Sequence, residues 1–111
     1  MRELVARKLV RSGFEVITAS NGAEALEQVA MHRPDLMLLD VMMPGMSGFD
    51  VCRTVRAEQG GDAPPVIFLS ARSQPEDIRG GFEAGAEDYV VKPFSPNDLV
   101  RRSVMVLERG E

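Results

Sequence analysis

The chain is predicted to be an α/β domain built on an open parallel sheet. Three observations carry this expectation. Helical and strand patterns alternate along the chain with short connections, as right-handed crossovers between parallel strands require. Leu36-Met37-Leu38-Leu39 is a continuous apolar run, the pattern of a strand covered on both faces. It ends in Asp40, and two later runs also end in chemistry-bearing residues: Val66-Ile67-Phe68-Leu69 in Ser70, and Tyr89-Val90-Val91 in Lys92-Pro93. Open parallel sheets place their chemistry at these carboxyl ends.

The elements follow in order. Leu4, Val5, Leu9 and Val10 share helical spacing within residues 2–12, and Gly13 is suited to end that helix. Phe14-Glu15-Val16-Ile17-Thr18 alternates like a short strand. Asn21 with Glu24 forms a capping-box pattern for a helix that runs to about His32, where Pro34 stops it. After Leu36 to Leu39, a loop of Pro and Gly leads to a helix starting near Gly48, and residues 60–65 form the next break. Val66 to Leu69 is the next strand. Ser73 and Glu76 form a second capping-box pattern, with Pro75 in the first turn of a helix carrying Ile78 and Phe82, and Gly85 closes it. Asp88 to Val91 is the last strand, and Ser95-Pro96-Asn97-Asp98 caps a final helix whose Val100, Val104 and Leu107 share a face.

At 111 residues the chain is one domain by size, residues 1–111, large enough for a single core. Its 44% hydrophobic and 27% charged content is ordinary for a globular protein, and a formal net charge of −4 disfavours direct nucleic-acid binding. Arg7, Lys8 and Arg11 cluster on one helix side and are assigned to a solvated face. The single cysteine, Cys52, matches Phe49 and Val55 at helical spacing and reads as a small core residue. His32, the single histidine, sits beside Arg33-Pro34 and offers it no catalytic partner. No apolar stretch is long enough to cross a bilayer and no signal-peptide core is present, so a cytoplasmic protein without membrane contact is expected.

A carboxylate, a hydroxyl and an ammonium at three neighbouring strand ends suit a phosphoryl group held on an aspartate. Asp40 is a competent nucleophile when placed in line. Lys92 supplies a mobile positive charge for a phosphoryl oxygen, and Ser70 a hydrogen bond to another. Each alone has an ordinary explanation: Asp40 as an Asx residue opening a loop, Ser70 as a turn residue, Lys92 as a solvated lysine.

Taken together, the segments Leu38-Leu39-Asp40-Val41-Met42-Met43-Pro44-Gly45-Met46-Ser47-Gly48, Phe68-Leu69-Ser70-Ala71 and Tyr89-Val90-Val91-Lys92-Pro93-Phe94 resemble bacterial response regulator receiver domains of two-component signalling. The resemblance spans nearly the whole chain. It implies a flavodoxin-like, doubly wound parallel sheet, with Asp40 as phosphoacceptor, Ser70 and Tyr89 as switch residues, Lys92 as the phosphate-contacting lysine and Pro93 after a cis peptide. It also implies magnesium, held by an acidic pair after the first strand, by Asp40 and by the backbone carbonyl of Met42.

By the same resemblance residue 1 already corresponds to the opening helix, so the first, central strand and its acidic pair are expected to be missing, roughly ten residues in all. Two consequences are expected. Magnesium binding should be weak or absent and phosphorylation slow, because one carboxylate and one carbonyl leave the site incomplete. The gap should also expose the edge of Leu36 to Leu39, so that either Phe14 to Thr18 moves in beside it or another chain pairs with it.

The leading expectation is a phosphorelay receiver that takes a phosphoryl group on Asp40 from a histidine kinase or histidine phosphotransfer protein and changes its partners. Self-phosphorylation and autodephosphorylation, with Met42 and Arg72 flanking the pocket, would be its only catalysis. The second expectation is a receiver-like docking or dimerisation module, or an inactive fragment, that is never phosphorylated. An aspartate-nucleophile phosphatase is disfavoured, since Met42 stands where a second aspartate would be required.

Overall fold

The computed structural model describes residues 2–109, and side chains from residue 5 onward. Among the described residues, three strands and three helices alternate after an opening pair of helices: α1 (Arg2–Arg11), α2 (Gly22–His32), β1 (Met37–Asp40), α3 (Gly48–Gln59), β2 (Val66–Ser70), α4 (Pro75–Glu83), β3 (Asp88–Val91) and α5 (Pro96–Arg109), with a 3₁₀ turn at Gly60–Asp62. The sheet is parallel, in the order β1-β2-β3. Leu39 lies opposite Phe68, and Phe68 opposite Tyr89.

The period-two alternation of the strands explains the layers. Met37 and Leu39, Val66 and Phe68, and Tyr89 turn to one face, where they meet Ala25 and Val29 of α2 and Val51, Cys52 and Val55 of α3. Ile67, Leu69 and Val90 turn to the other, against Val5 and Leu9 of α1 and Leu99 and Val106 of α5. Every residue of β2 is buried, as a central strand roofed on both sides must be. Cys52 is a core residue as expected. Its Sγ–H donates to the Ala84 carbonyl at 3.2 Å, and burial pushes its thiol pKa up, away from thiolate chemistry.

Several boundaries follow from local chemistry. The Asn21 side chain accepts the Glu24 amide at 2.9 Å and starts α2. Ser47 does the same for Asp50 at 3.1 Å and starts α3. Gly13, at φ +99°, ends α1 in a conformation that a side chain would disfavour.

The structure corrects four expectations. Residues 14–18 form no strand: Phe14 and Val16 do turn inward, but their backbone has no ladder partner. They face β1 across a cleft of about 590 Å³, lined among others by Val5, Leu9, Phe14, Val16, Leu36 and Leu38. Phe14 to Thr18 therefore does not close the sheet. The amides of Met37 and Val41 point to β2, donating to Pro65 and Leu69, so by alternation those of Leu38 and Asp40 face the cleft. Second, the strand expected at Leu36 to Leu39 is shifted by one residue, to Met37–Asp40. Third, the Ser73 capping box does not form. Gln74 occupies the N-cap without a side-chain bond, and Pro75 at the first helical position sets the start. Fourth, α5 buries Leu99, Ser103 and Val106, while Val104 is exposed. Ser103 fits that apolar face because its hydroxyl donates to the Leu99 carbonyl one turn back, at 2.8 Å.

Phe68 has no exposed surface and joins β2 to the rings of Phe49 and Tyr89. Replacing it with alanine is expected to lower unfolding free energy by about 3–5 kcal/mol, measurable as a reduced urea midpoint at unchanged slope.

Candidate functional site

The three strands end side by side, and their backbones are tied together there. Val41 N–H donates to the Leu69 carbonyl at 3.2 Å, and Lys92 N–H to the Ser70 carbonyl at 2.7 Å. These bonds place Asp40, Ser70 and Lys92 along one edge of the sheet. The Lys92 ammonium donates to Asp40 Oδ1 at 2.6 Å, across 52 residues of sequence. Both side chains keep contact with water, 25% exposed for Lys92 and 42% for Asp40. The carboxylate is thus neutralised yet reachable from solvent, as an in-line donor requires.

The loop after Asp40 is fixed by its far end. Gly48 N–H donates to the Val41 carbonyl at 2.9 Å, and a Cβ at Gly48 would overlap the Asp40 carbonyl, so only glycine lets α3 begin this close to β1. Met42, on this loop, is 65% exposed.

Ser70 is buried, and its Oγ accepts the Arg72 N–H at 3.0 Å. The Tyr89 hydroxyl donates to the Arg72 carbonyl at 2.9 Å, and the Tyr89 ring is buried beside Phe68. Arg72 therefore receives both side chains through its main chain, while its guanidinium points to Asp77 at 3.7 Å. Sequence reasoning placed Arg72 beside the pocket but missed this bridging role, because a main-chain contact leaves no signature in residue type. The Lys92–Pro93 peptide is cis.

Among the described residues no group of three His, Cys, Asp or Glu side chains is placed to hold a metal ion. Asp40 and the Met42 carbonyl offer two oxygen donors, far from the six that magnesium takes, and Asp40 is already paired with Lys92. These residues do not by themselves fit a magnesium ion, and no step below is routed through one.

The response regulator receiver domain profile matches residues 1–103. The chain belongs to the response regulator receiver family. It is 43% identical over its full length to the DNA-binding response regulator MtrA of Mycolicibacterium smegmatis, and 44% identical over its full length to the transcriptional regulatory protein AfsQ1 of Streptomyces coelicolor. It spans about half of each, 47% and 48%. Among solved structures, the receiver domain of Francisella response regulator 1452 superposes with a TM-score of 0.91 at 29% identity, covering 98% of this chain and 88% of that one. The signal receiver domain of NarL from Mycobacterium tuberculosis gives 0.88 at 32% identity, covering 96% and 86%. The flavodoxin-like receiver fold is therefore established, here with a three-stranded sheet. Receivers act as phosphoacceptors in two-component signalling rather than as conventional enzymes, and are generally magnesium-dependent. No helix among the described residues is long and apolar enough to cross a membrane.

The Lys92–Asp40 pair is half open to water, so its contribution to stability is modest. Replacing Lys92 with alanine is expected to change unfolding free energy by less than about 1 kcal/mol, as measured by urea denaturation. A larger loss would mean that the pair holds the fold rather than prepares a site.

Proposed function

We propose that residues 1–111 form a phosphorelay receiver in which Asp40 accepts a phosphoryl group from a histidine kinase or histidine phosphotransfer protein. The observation that carries this reading is the Lys92 ammonium at 2.6 Å from a solvent-accessible Asp40 carboxylate. An Asp40 carboxylate oxygen attacks phosphorus, the new O–P bond forms as the P–N bond of phosphohistidine breaks, and the imidazole nitrogen leaves with the electron pair. Lys92 then shifts from the carboxylate to a phosphoryl oxygen, where it neutralises developing charge without a proton transfer.

Ser70 and Tyr89 are the switch in this proposal. The Ser70 hydroxyl turns to donate to a second phosphoryl oxygen, which removes its acceptor role toward the Arg72 amide. Tyr89, held by the carbonyl of the same residue, responds to that change. Partner choice shifts because the phosphoryl contacts exist in only one of the two conformations.

The test is intact mass after incubation with a small phosphodonor, with and without magnesium, on the wild type and Asp40→Asn. One added phosphoryl group on the wild type and none on Asp40→Asn is expected, with slow addition and no tight magnesium site by titration. A wild type that never gains mass would instead favour the docking module, a reading that the two-donor metal environment makes specific. We further propose that the cleft-facing edge of β1 pairs with another chain. Light scattering across a concentration series is expected to show self-association, and a monomer throughout would count against it.

A further inference from the structure

Helix α4 rests on the sheet through Ile78 and, about one turn on, through Gly81, which has no side chain. Gly81 is buried in it, and Phe82 beside it is 47% exposed. A Cβ at Gly81 would stand 2.8 Å from Cδ2 and 3.3 Å from Cε2 of Tyr89, and 3.2 Å from Cδ2 of Phe68. Carbon atoms in contact sit about 3.5–4 Å apart, so one of the two rings must yield. The same addition at Gly80 meets Phe49 Cε2 at 3.4 Å and Cζ at 3.7 Å, an ordinary contact.

Which neighbour yields follows from packing. Phe68 is fully buried in the central strand and stands edge-on to Phe49, with centroids 5.0 Å apart. Tyr89 is at the end of the row, 6.4 Å from Phe68, and its hydroxyl reaches the Arg72 carbonyl in the loop before α4. It is the ring with an exit.

We propose that Gly81 is the positioning residue of the Tyr89 side chain. The missing Cβ gives the ring its place under α4 with the hydroxyl on Arg72, and a side chain at position 81 displaces it. The link to signalling rests on the switch proposed above, whereas the steric claim stands on geometry alone. In that switch, a movement of α4 along β3 carries position 81 across the ring, so helix position and Tyr89 orientation are one variable.

The sequence supplies its own probe, since Tyr89 is the single tyrosine and the chain has no tryptophan. Intrinsic fluorescence therefore reports this ring alone, and its quenching by acrylamide is compared in the wild type, Gly81→Ala and Gly80→Ala. Quenching is expected to rise severalfold in Gly81→Ala and to stay at the wild-type level in Gly80→Ala. Alanine is a better helix former than glycine, so on propensity alone both variants would melt higher. Gly81→Ala is expected to melt lower than the wild type, yet Gly81→Ala on a Tyr89→Ala background higher than Tyr89→Ala alone. Unchanged quenching in Gly81→Ala, equal increases in both variants, or a lower melting temperature that persists without Tyr89 would each overturn the proposal. Phosphodonor is then added to the wild type: if mass shows phosphorylation but quenching does not change, the switch reading fails while the steric result stands.

Discussion

The parallel register of β2 with its two neighbours is the constraint on which the rest depends. Because β2 is buried along its whole length, its amides and carbonyls must be paired with β1 on one side and β3 on the other. That pairing sends Phe68 to one helical layer and Ile67 and Leu69 to the other, which fixes where the helices pack. It also brings three strand ends level, so that residues 40, 70 and 92 meet although they are far apart in sequence. A one-residue slip of β1 would turn Leu39 out of its layer and carry the Asp40 carboxylate away from Lys92. Core packing and site geometry are thus enforced by the same hydrogen bonds.

Much of this was legible in the residues. The strands at β2 and β3 were readable because continuous apolar runs bounded by Pro, Gly and charged residues have few alternative readings, and the cap at Asn21 sits where a short polar side chain precedes apolar periodicity. The segment Phe14 to Thr18 shows the limit. Its alternation is real, since Phe14 and Val16 are the residues that turn inward, but a strand is defined by a neighbour, and local pattern cannot say whether one is within reach. Ser73 shows another, because a capping pattern loses to a proline that fixes the helix start one residue later. In α5, Val104 and Ser103 exchanged roles since a hydroxyl that bonds back to its own helix is compatible with an apolar surface.

The site was legible in part for a similar reason. Asp40, Ser70 and Lys92 carry chemistry in their side chains and stand at strand ends, so residue type and position both point to them. The Arg72 peptide group and the bare surface of Gly81 carry theirs in the main chain and in a missing atom. Neither is visible without coordinates, yet between them they join the Ser70 hydroxyl to the Tyr89 ring and the ring to α4.

The two helices flanking β3 are held in opposite ways. Helix α5 is pinned by charge as well as by its apolar face: Arg102 bridges Asp88, at the start of β3, and Asp98 on its own first turn, with contacts of 2.9 and 2.8 Å. Hydrogen bonds from Arg101 and then Arg102 hold the Asp98 carboxyl below its ordinary range, so the Asp98 contacts are lost only as pH falls through that lowered value. Helix α4 has no such charged anchor to β3 among the bonds described, and it meets the sheet through Ile78 and Gly81. Local stability follows the density of buried contacts, so in the switch proposed above α4 is the element expected to respond and α5 the one expected to stay. The Arg72 peptide group that Ser70 and Tyr89 share lies three residues before α4 begins at Pro75, so only a short stretch of main chain separates the strand ends from the helix.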